Sequence, residues 1–486
     1  MSEQVIRGFK PANVFAFFEQ ISAIPRGSGN EAGVADYLCR FAKERGLDCV
    51  RDANNNVLIK KPATKGRQDH APLLFQGHTD MVCEKNNDTV HDFERDPIRL
   101  ILEGNCLRAD GTTLGADNGI AVAMMLAMLD GELDSHPAIE CLFTTEEETG
   151  MGGAIAFDYS LLKAKHMINL DSEQEDTVTV GCAGGIRSDL SLAVDREPLG
   201  DRELCRVSLT GLCGGHSGAD IHTGRANANL LLGRLLAALS DVRLVSIEGG
   251  SKDNAITREA VAVIAVPSVA MTSMALLGLA DEISGELVQE DENCRIVCER
   301  LTNEEAAAIT GMMSEAATAR VLGLLANAPC GVLAMNAEVA GLVEYSRNLG
   351  ILRTTDKAVC MTFTSRASRE SRLDGTVSSL GALSAALGGQ INHHSRYPGW
   401  EYASESAVRD AYVAAYEAVV GDVMHVVAIH AGLECGYIKK QLPDMDIISI
   451  GPNMRGIHSP DEVLFLDSVE RVWRVLAKLI EDWNVV

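Results

Sequence analysis

The first 171 residues alternate between segments with helical spacing of apolar residues and short apolar runs of strand length. Helices are predicted for residues 11–24, 30–46 and 120–129, and strands for residues 57–59, 72–76, 138–144 and 166–170. Strands that alternate with helices are typical of an α/β sheet. We therefore predict an α/β domain with a mixed central sheet flanked by helices.

Residues that can bind metal ions come directly after three of the predicted strands. They are His78 with Asp80, the glutamates 146–148, and Asp171. In open α/β sheets, binding sites lie beyond the carboxyl ends of the strands. We therefore expect these side chains to meet at one edge of the sheet.

After residues 181–185 (G-C-A-G-G) the pattern changes to one that is typical of an α+β domain with antiparallel strands. Strands are predicted for 186–194, 204–209, 260–266, 342–352 and 358–363, and helices for 225–239, 271–287 and 303–325. The earlier pattern returns near residue 398, with helices at 407–420 and from 468 and strands at 424–429 and 446–450. We predict that residues 1–185 and 399–486 form one domain, and that residues 186–398 are inserted in it.

Composition excludes several classes of protein. The chain has 43 Lys and Arg against 68 Asp and Glu, a formal charge of -25, which disfavours nucleic acid as a partner. No apolar run reaches the roughly 18 residues of a membrane span, and the amino terminus does not resemble a signal peptide. Thirteen cysteines without a C-x-x-C pair favour reduced thiols and a cytoplasmic location.

Residues 112–119 (T-T-L-G-A-D-N-G) contain Asp117, for which two interpretations are open. A carboxylate before the apolar run 120–129 can cap a helix by accepting from its first N–H groups. The alternative is that Asp117 is a metal ligand, because His78, Asp171 and His458 offer further ligands of the right type.

A site for two divalent ions needs imidazole and carboxylate ligands, one of which bridges the ions. Asp117 is the candidate bridge. One ion would then take His78 and Asp171, and the other Glu148 and His458.

Asp80 and the glutamate run have further roles in this hypothesis. Asp80 lies two residues after His78, where a carboxylate can orient the imidazole; the alternative is an ordinary turn aspartate. The glutamates 146–148 follow an apolar strand, and buried carboxylates require cations, although a solvated acidic turn is the alternative. One glutamate would be a ligand and its neighbour the general base.

Six ordered motifs resemble those of the co-catalytic zinc metallopeptidases related to carboxypeptidase G and aminoacylase. They are 77–80 (G-H-T-D), 115–119 (G-A-D-N-G), 147–151 (E-E-T-G-M), 169–172 (N-L-D-S), 214–218 (G-G-H-S-G) and 456–461 (G-I-H-S-P-D). More narrowly, residues 86–93, 181–185 and 430–436 resemble the cytosolic aminoacyl-histidine dipeptidase branch, which is Xaa-His-specific and carnosinase-like. The resemblance extends essentially from end to end.

The resemblance implies two divalent metal ions per subunit, with zinc favoured and cobalt or manganese as substitutes, held by the ligands named above. It implies that Glu147 is the general base. The family has a pair of glutamates where this chain has three, so the choice between Glu146 and Glu147 depends on the spacing back from residues 150–151.

The resemblance also assigns the inserted domain as a lid through which two subunits form a homodimer. His216 would stabilise the tetrahedral oxyanion in the partner's active site. Asn254 and Arg366 would contact the dipeptide, with Arg366 on its terminal carboxylate. Arg369 and Arg372 lie close by and are alternatives for that contact.

The predicted function is the hydrolysis of Xaa-His dipeptides by metal-activated water, with Asp80, Glu147 and His216 as catalytic residues. The alternatives are a related metal-dependent amidohydrolase that acts on N-acyl amino acids or other short peptides, and a metal-binding scaffold that has lost catalysis. The expected partner is a dipeptide substrate, with neither nucleic acid nor membrane.

Overall fold

The structure is a computed structural model that describes residues 5–337, 339 and 341–486. Two compact units divide the chain. The first unit comprises the residues up to 181 together with 400–428 and 433–486, and the second comprises 182–399 and 429–432. The insertion begins and ends within a few residues of the predicted boundaries, but the return of residues 429–432 to the second unit was not predicted. The roles assigned to the two domains stay predictions.

The first unit begins with helices α1 (Ala12–Ser22) and α2 (Ala32–Arg45). It continues with β1 (Asp48–Arg51), β2 (Val57–Lys61), β3 (Leu73–His78), β4 (Leu100–Glu103), β5 (Cys106–Ala109), α3 (Ala116–Asp130), β6 (Ile139–Thr144), α4 (Gly152–Ala156), β7 (His166–Asn169) and β8 (Thr177–Cys182).

The second unit follows with β9 (Gly184–Ala193), β10 (Arg196–Glu197), β11 (Glu203–Thr210), β12 (Gly215–His216), α5 (Ala228–Ala237), β13 (Arg243–Gly249), β14 (Ala255–Ile256) and β15 (Ala260–Val266). It ends with α6 (Val269–Ser284), β16 (Arg295–Arg300), α7 (Asn303–Ala307), β17 (Met312–Met313), α8 (Glu315–Asn327), β18 (Gly331–Met335), β19 (Val343–Thr354), β20 (Ala358–Ala367), α9 (Glu370–Ala386) and β21 (Gln390–Tyr397).

The remainder of the chain contains α10 (Ala407–Val420), β22 (His425–Ile429), α11 (Glu434–Gln441), β23 (Asp446–Ser449), β24 (Met454–Arg455), β25 (Val463–Phe465) and α12 (Leu466–Asp482). Short 3-10 helices lie at Tyr159–Leu161, Ile221–Thr223 and Gln289–Asp291. Within the described residues, no helix is both long enough and apolar enough to cross a membrane.

The main sheet of the first unit has the strand order β1-β2-β6-β3-β7-β23-β8-β22. Its centre is parallel, because β3 pairs in parallel with β6 and β7, and β23 pairs in parallel with β7. Its flanks are antiparallel, as in the β1–β2 and β2–β6 pairs. This is the mixed α/β sheet that the alternating pattern predicts, and the carboxyl ends of β3, β6 and β7 lie at one edge.

Helix α3 is buried on all sides, since every residue from Gly119 to Leu129 is buried. A helix that is apolar all round belongs in the centre of a core. Helix α3 packs against α1 and β3. It therefore anchors its own first turn, which contains Asp117, to a rigid core.

The second unit is built on an antiparallel sheet of order β16-β11-β15-β13-β19-β20-β9-β21, with β18 paired to β19. Its core lies between this sheet and helices such as α5 and α8. The α+β class predicted for the insertion agrees with this architecture.

The single helix predicted for residues 303–325 is wrong. Thr302 and Glu305 form a capping box that begins the short helix α7, and Ser314 caps a new helix, α8, through the backbone N–H of Ala317. Between them, β17 pairs with β10. The apolar pattern of residues 303–325 thus contains two helix-start signals, at Thr302 and Ser314, and forms two helices instead of one.

Candidate metal centre

The strand ends bring the predicted ligands of the first unit together. His78 is the last residue of β3, while the glutamates and Asp171 come shortly after β6 and β7. His78 Nε2 lies 3.2 Å from Asp117 Oδ1 and 3.4 Å from Asp171 Oδ1. His458 Nε2 lies 3.2 Å from Asp117 Oδ2 and 3.0 Å from Glu148 Oε2.

Asp117 is the centre of this arrangement, because each of its carboxylate oxygens faces a different histidine. The two histidines come from parts of the chain that are hundreds of residues apart, one at the end of β3 and one in the turn between β24 and β25. His458 adopts a positive φ of 60° in that turn. The carboxylate of Asp117 is thus shared between two imidazoles, and its role as a bridging ligand stays a prediction.

The residues fit two metal ions. Two ligands of one tetrahedral zinc ion, each about 2.0–2.1 Å from the metal, lie roughly 3.3 Å apart, and the four distances given above run from 3.0 to 3.4 Å. Ligand atoms of His78, Asp117 and Glu148 all lie within 4.8 Å of one another. Among the described residues, the buried Glu148 Oε1 has no hydrogen-bond partner, so a cation would satisfy it.

The local charge favours cations. Hydrogen bonds to Asp117 and Glu148 raise the pKa of His458 to about 10. Burial opposes the charged form of His78, but the charge of Asp171 and the hydrogen bond to Asp117 hold the pKa of that imidazole well above its usual value. Burial raises the pKa of Asp171 to about 6. Carboxylates therefore dominate this cluster, and a positive charge is stabilised within it.

Asp80 is fully buried and connects two of the ligand segments. Its carboxylate accepts from the backbone N–H groups of Glu147 (3.1 Å) and Glu148 (3.2 Å), and Oδ1 lies 3.3 Å from His78 Nδ1. The backbone carbonyl of Asp80 lies 3.1 Å from the same nitrogen. When a metal displaces the second proton and the ring is neutral, two acceptors at Nδ1 favour the tautomer with its proton there, which leaves the lone pair of His78 Nε2 directed at the metal centre.

The neighbouring glutamates 146 and 147 differ in their surroundings. Glu146 is exposed, and its backbone N–H donates to Glu31 (3.1 Å). Glu147 is part-buried, and burial raises the pKa of its carboxyl well above the usual value, with the charge of Asp171 adding to this against the opposing effect of His78. Glu147 is thus the glutamate whose carboxyl group responds to the charges of the centre.

The interpretation of Asp117 as a helix cap is wrong. Helix α3 begins after Gly115, which has a φ of 67°, and Asp117 has a non-helical ψ of 108°. The carboxylate at this helix start belongs to Glu462, to which the backbone N–H groups of residues 114–117 donate. The role of Glu462 was not predicted, because the sequence shows it only as one acidic residue among many, four positions after His458.

A second buried carboxylate that was missed is Glu434. It is fully buried, and its Oε2 accepts from Gln76 Nε2 (2.6 Å) and Thr144 Oγ1 (2.8 Å), which lie on β3 and β6. Burial raises the pKa of Glu434 to about 7. The motif 430–436 contained this residue, but its pattern gave no role for it.

The predicted lid residues lie in the second unit, where His216 and Arg366 are close together. Arg366 Nη2 lies 3.5 Å from His216 Nε2, and Arg366 Nη1 donates to the Tyr397 hydroxyl (2.7 Å). The backbone N–H of Ala219 donates to His216 Nδ1 (3.0 Å). Burial, followed by the charge of Arg366, lowers the pKa of His216. Because Nδ1 accepts from Ala219, the proton of a neutral His216 ring belongs on Nε2, and the 3.5 Å approach of Arg366 Nη2 is then a contact between two donors and not a hydrogen bond.

The remaining candidates of this unit differ in exposure. Asn254 is exposed, and its backbone carbonyl accepts from the N–H of Ser217 (2.8 Å), the residue after His216. Arg366 is buried, whereas Arg369 and Arg372 are exposed. Of the three arginines, Arg366 is the one that contacts His216.

Two comparisons with known proteins decide the family. A model of peptidase family M20/M25/M40 matches residues 74–482. The cytosol non-specific dipeptidase of Escherichia coli (strain K12) is 40% identical over 480 residues, which are 97% of this chain and 98% of that protein. The chain belongs to peptidase family M20/M25/M40. This M20 peptidase is thus a peptide hydrolase, and the family resemblance found in its sequence is confirmed.

Solved structures agree with this assignment. The crystal structure of aminoacylhistidine dipeptidase from Vibrio alginolyticus matches with a TM-score of 0.93 and 37% identity, covering 99% of this chain and 98% of that one. A tripeptidase from Staphylococcus aureus has a TM-score of 0.56 at 13% identity, covers 97% of this chain and 98% of that one, and shares the fold. The predicted fold class, an α/β domain with a mixed central sheet interrupted by an inserted α+β domain, is confirmed.

Proposed function

We propose that this M20 peptidase is a dipeptidase that uses two divalent metal ions and favours dipeptides with a C-terminal histidine, including carnosine-like substrates. The observation that carries the proposal is the position of Asp117, whose two carboxylate oxygens face His78 and His458 separately. A helix cap or a simple ion pair requires no such sharing. A pair of metal ions does.

In this proposal, His78 and Asp171 hold one ion, Glu148 and His458 hold the other, and Asp117 serves both. Zinc is favoured, because imidazole with carboxylate is a common zinc ligand set, and cobalt or manganese would substitute. When bound, the ions supply an activated water as nucleophile and polarise the scissile carbonyl group.

Glu147 is the proposed general base, which takes the proton of the attacking water and transfers it to the leaving amine. Its part-buried position beside the ligand Glu148 supports this role, whereas Glu146 is exposed. Asp80 supports the base by holding the backbone N–H groups of Glu147 and Glu148, and it orients His78. Asp80 is thus a positioning residue in this proposal.

The second unit supplies the proposed substrate contacts. His216 is suited to stabilise an oxyanion, because its neutral ring offers an Nε2–H donor. Arg366 offers a guanidinium for the terminal carboxylate of the dipeptide, and its buried Nε has no hydrogen-bond partner within the part of the chain that the structure describes. Asn254 is proposed to contact the peptide backbone.

Two subunits are proposed to pair through the second unit, so that His216 of each serves the metal centre of the other. Helix α6 supports the pairing, because Met271, Met274 and Leu277 lie on one face and are 66%, 68% and 62% exposed. Helix α6 packs on β16, which is the last strand of its sheet. Exposed apolar faces of this kind mark interaction surfaces.

The names of the relatives bear on the range of substrates and on location. The Vibrio alginolyticus protein is named for aminoacyl-histidine dipeptides, whereas the Escherichia coli protein is named a non-specific dipeptidase of the cytosol. We propose dipeptides as the substrate class, Xaa-His as the favoured members, and a cytoplasmic location.

Metal removal tests this function. The purified protein is treated with a chelator, dialysed and assayed with β-alanyl-histidine, glycyl-histidine, a dipeptide without histidine, a tripeptide and an N-acetyl amino acid. We expect hydrolysis of the dipeptides to disappear, and zinc, cobalt or manganese to restore it. A rate unaffected by chelation contradicts the proposal, and faster hydrolysis of the N-acetyl amino acid favours the amidohydrolase alternative.

Substitution of the proposed base separates an enzyme from a scaffold that binds metal without catalysis. Glu147→Gln should retain fold and metal content but lose roughly 10²- to 10⁴-fold in turnover. Its matched control is Glu146→Gln, which removes the neighbouring exposed carboxylate and should leave turnover close to that of the wild type. The opposite result would assign the base to Glu146, and a wild type that binds metal but hydrolyses none of the panel would favour the scaffold.

A further inference from the structure

The carboxylate of Glu462 holds the backbone on which Asp117 lies. Its Oε2 accepts from the N–H groups of Leu114 (2.7 Å) and Gly115 (3.0 Å). Its Oε1 accepts from the N–H groups of Ala116 (2.8 Å) and Asp117 (3.2 Å). The side chain is 2% exposed, so water does not compete for these bonds.

These contacts differ from an ordinary helix cap. Caps come from a residue directly before the helix and satisfy one or two of the first N–H groups. Here the acceptor lies 345 residues further along the chain than Asp117 and fills a concave row of N–H groups that the left-handed Gly115 helps to form. Hydrogen bonds to a buried carboxylate are about twice as strong as neutral ones.

A buried cation holds the carbonyl groups of the same region. The Arg26 guanidinium donates to the carbonyl of Gly115 through Nη2, and to the carbonyls of Thr79 (2.9 Å) and Asp80 (3.2 Å) through Nη1. Arg26 is 2% exposed. The peptide groups around Gly115 are therefore fixed by a carboxylate at their N–H groups and by a guanidinium at a carbonyl.

We propose that Glu462 is a positioning residue for the metal centre, which sets the placement of the bridging Asp117 relative to His458. The proposal rests on the proposed two-metal function. Glu462 lies four residues after His458, and its side chain bonds directly to the backbone N–H of Asp117. One residue thus connects the segments that carry the bridge and one of the histidines.

The connection has a specific consequence for metal binding. Asp117 Oδ2 and His458 Nε2 are 3.2 Å apart, a separation suited to two ligands of one ion. Without the carboxylate of Glu462, the backbone of the 114–117 segment loses its charge-assisted hydrogen bonds to the turn of His458, and the separation then depends on the contact between the two ligand side chains themselves. Residues behind metal ligands typically change metal affinity about 10- to 100-fold when they are substituted.

Glu462→Gln tests the proposal with little change in shape. The amide oxygen of glutamine accepts hydrogen bonds but its nitrogen does not, so part of the 114–117 row loses its acceptor. The matched control is Asp461→Asn, because the Asp461 side chain is 88% exposed and carries the same charge in the same turn. Cobalt affinity is measured by calorimetry on the metal-free proteins, and coordination by the visible spectrum of the cobalt-loaded proteins.

We expect Glu462→Gln to bind cobalt about 10- to 100-fold more weakly than the wild type and with an altered spectrum at saturation, and Asp461→Asn to match the wild type. A purely structural role would instead lower the melting temperature of the metal-free protein and leave affinity and spectrum unchanged. That result overturns the proposal.

Circular dichroism and the melting temperature establish that each variant is folded. If Glu462→Gln is not folded, Glu462→Asp replaces it; this variant keeps the charge but is one methylene too short to span the same row. Wild-type cobalt affinity and spectrum in the folded variant overturn the positioning role. A different result contradicts the proposed two-metal function: the wild-type protein itself does not bind two cobalt ions.

Discussion

Gly218 lies two residues after His216, at a position with little room for a side chain. A Cβ atom at this position would lie 3.0 Å from Cε1 of His216 and 3.2 Å from Nε of Arg366, and closer still to the carbonyl oxygen of His430. Carbon atoms pack at about 3.5–4.0 Å, so we expect Gly218→Ala to push the turn away from the His430 carbonyl and to displace the His216 ring by roughly 0.5 Å. Because a displacement of about 1 Å can cost about 10²-fold in rate, we expect kcat/KM to fall roughly 10- to 100-fold.

The assay is steady-state hydrolysis of β-alanyl-histidine, together with metal content and circular dichroism. Metal content should not change, because the proposed ligands all lie in the first unit. The control is Gly381→Ala in α9, where no atom of the described chain lies within 4 Å of the added Cβ. The reasoning is refuted if Gly218→Ala retains wild-type kcat/KM, or if it loses metal in proportion to activity.

Two further predictions concern the second unit. Arg366→Ala should raise KM for dipeptides roughly 10- to 150-fold, because a charge-assisted hydrogen bond worth about 1.5–3 kcal/mol is lost. The control is Arg372→Ala, which removes an exposed arginine and should leave KM unchanged. Equal effects of the two substitutions would show that Arg366 does not bind the substrate carboxylate. Burial, with the charge of Arg366, lowers the pKa of His430 to about 3, so below pH 6.5 the unfolded chain binds a proton that the native state does not. Stability should therefore fall from pH 6.5 towards pH 4, and His430→Gln should reduce this slope in urea unfolding by up to about 1.4 kcal/mol per pH unit. An unchanged slope would contradict the burial argument.

The sequence predicts the first unit well where residues that can bind metal follow directly after an apolar strand. The strand predicted for residues 138–144 is β6 (Ile139–Thr144), and Asp171 follows β7 closely. Parallel pairing then determines which strand ends meet, so the proximity of His78, Asp171 and the glutamates could be expected before any coordinates. The grouping of His458 with them required the family resemblance, since spacing alone does not say where a distant turn lies.

Other elements gave too weak a pattern. Helix α9 (Glu370–Ala386) was missed, because Gly375, Gly381 and several serines lower its helix propensity and its apolar positions are few. Strand β21 (Gln390–Tyr397) was missed because it is a polar strand at the edge of its sheet.

Long-range side-chain contacts were beyond prediction for a different reason. Glu462 accepts from the N–H groups of residues 114–117, and Arg26 donates to carbonyl groups around the centre. Each of these contacts joins segments that are far apart in the sequence, and the periodicity of apolar residues does not show which distant segments meet. The same residue types occur at many exposed positions. Their role becomes visible only when burial and partners are known.

The bridging role of Asp117 is the central claim, and a crystal structure of the zinc-loaded protein with anomalous data collected at the zinc edge tests it most directly. We predict two anomalous peaks on opposite sides of Asp117, one next to His78 and Asp171 and the other next to Glu148 and His458, with one oxygen of Asp117 on each. A single peak, or two peaks of which Asp117 contacts only one, would contradict the account.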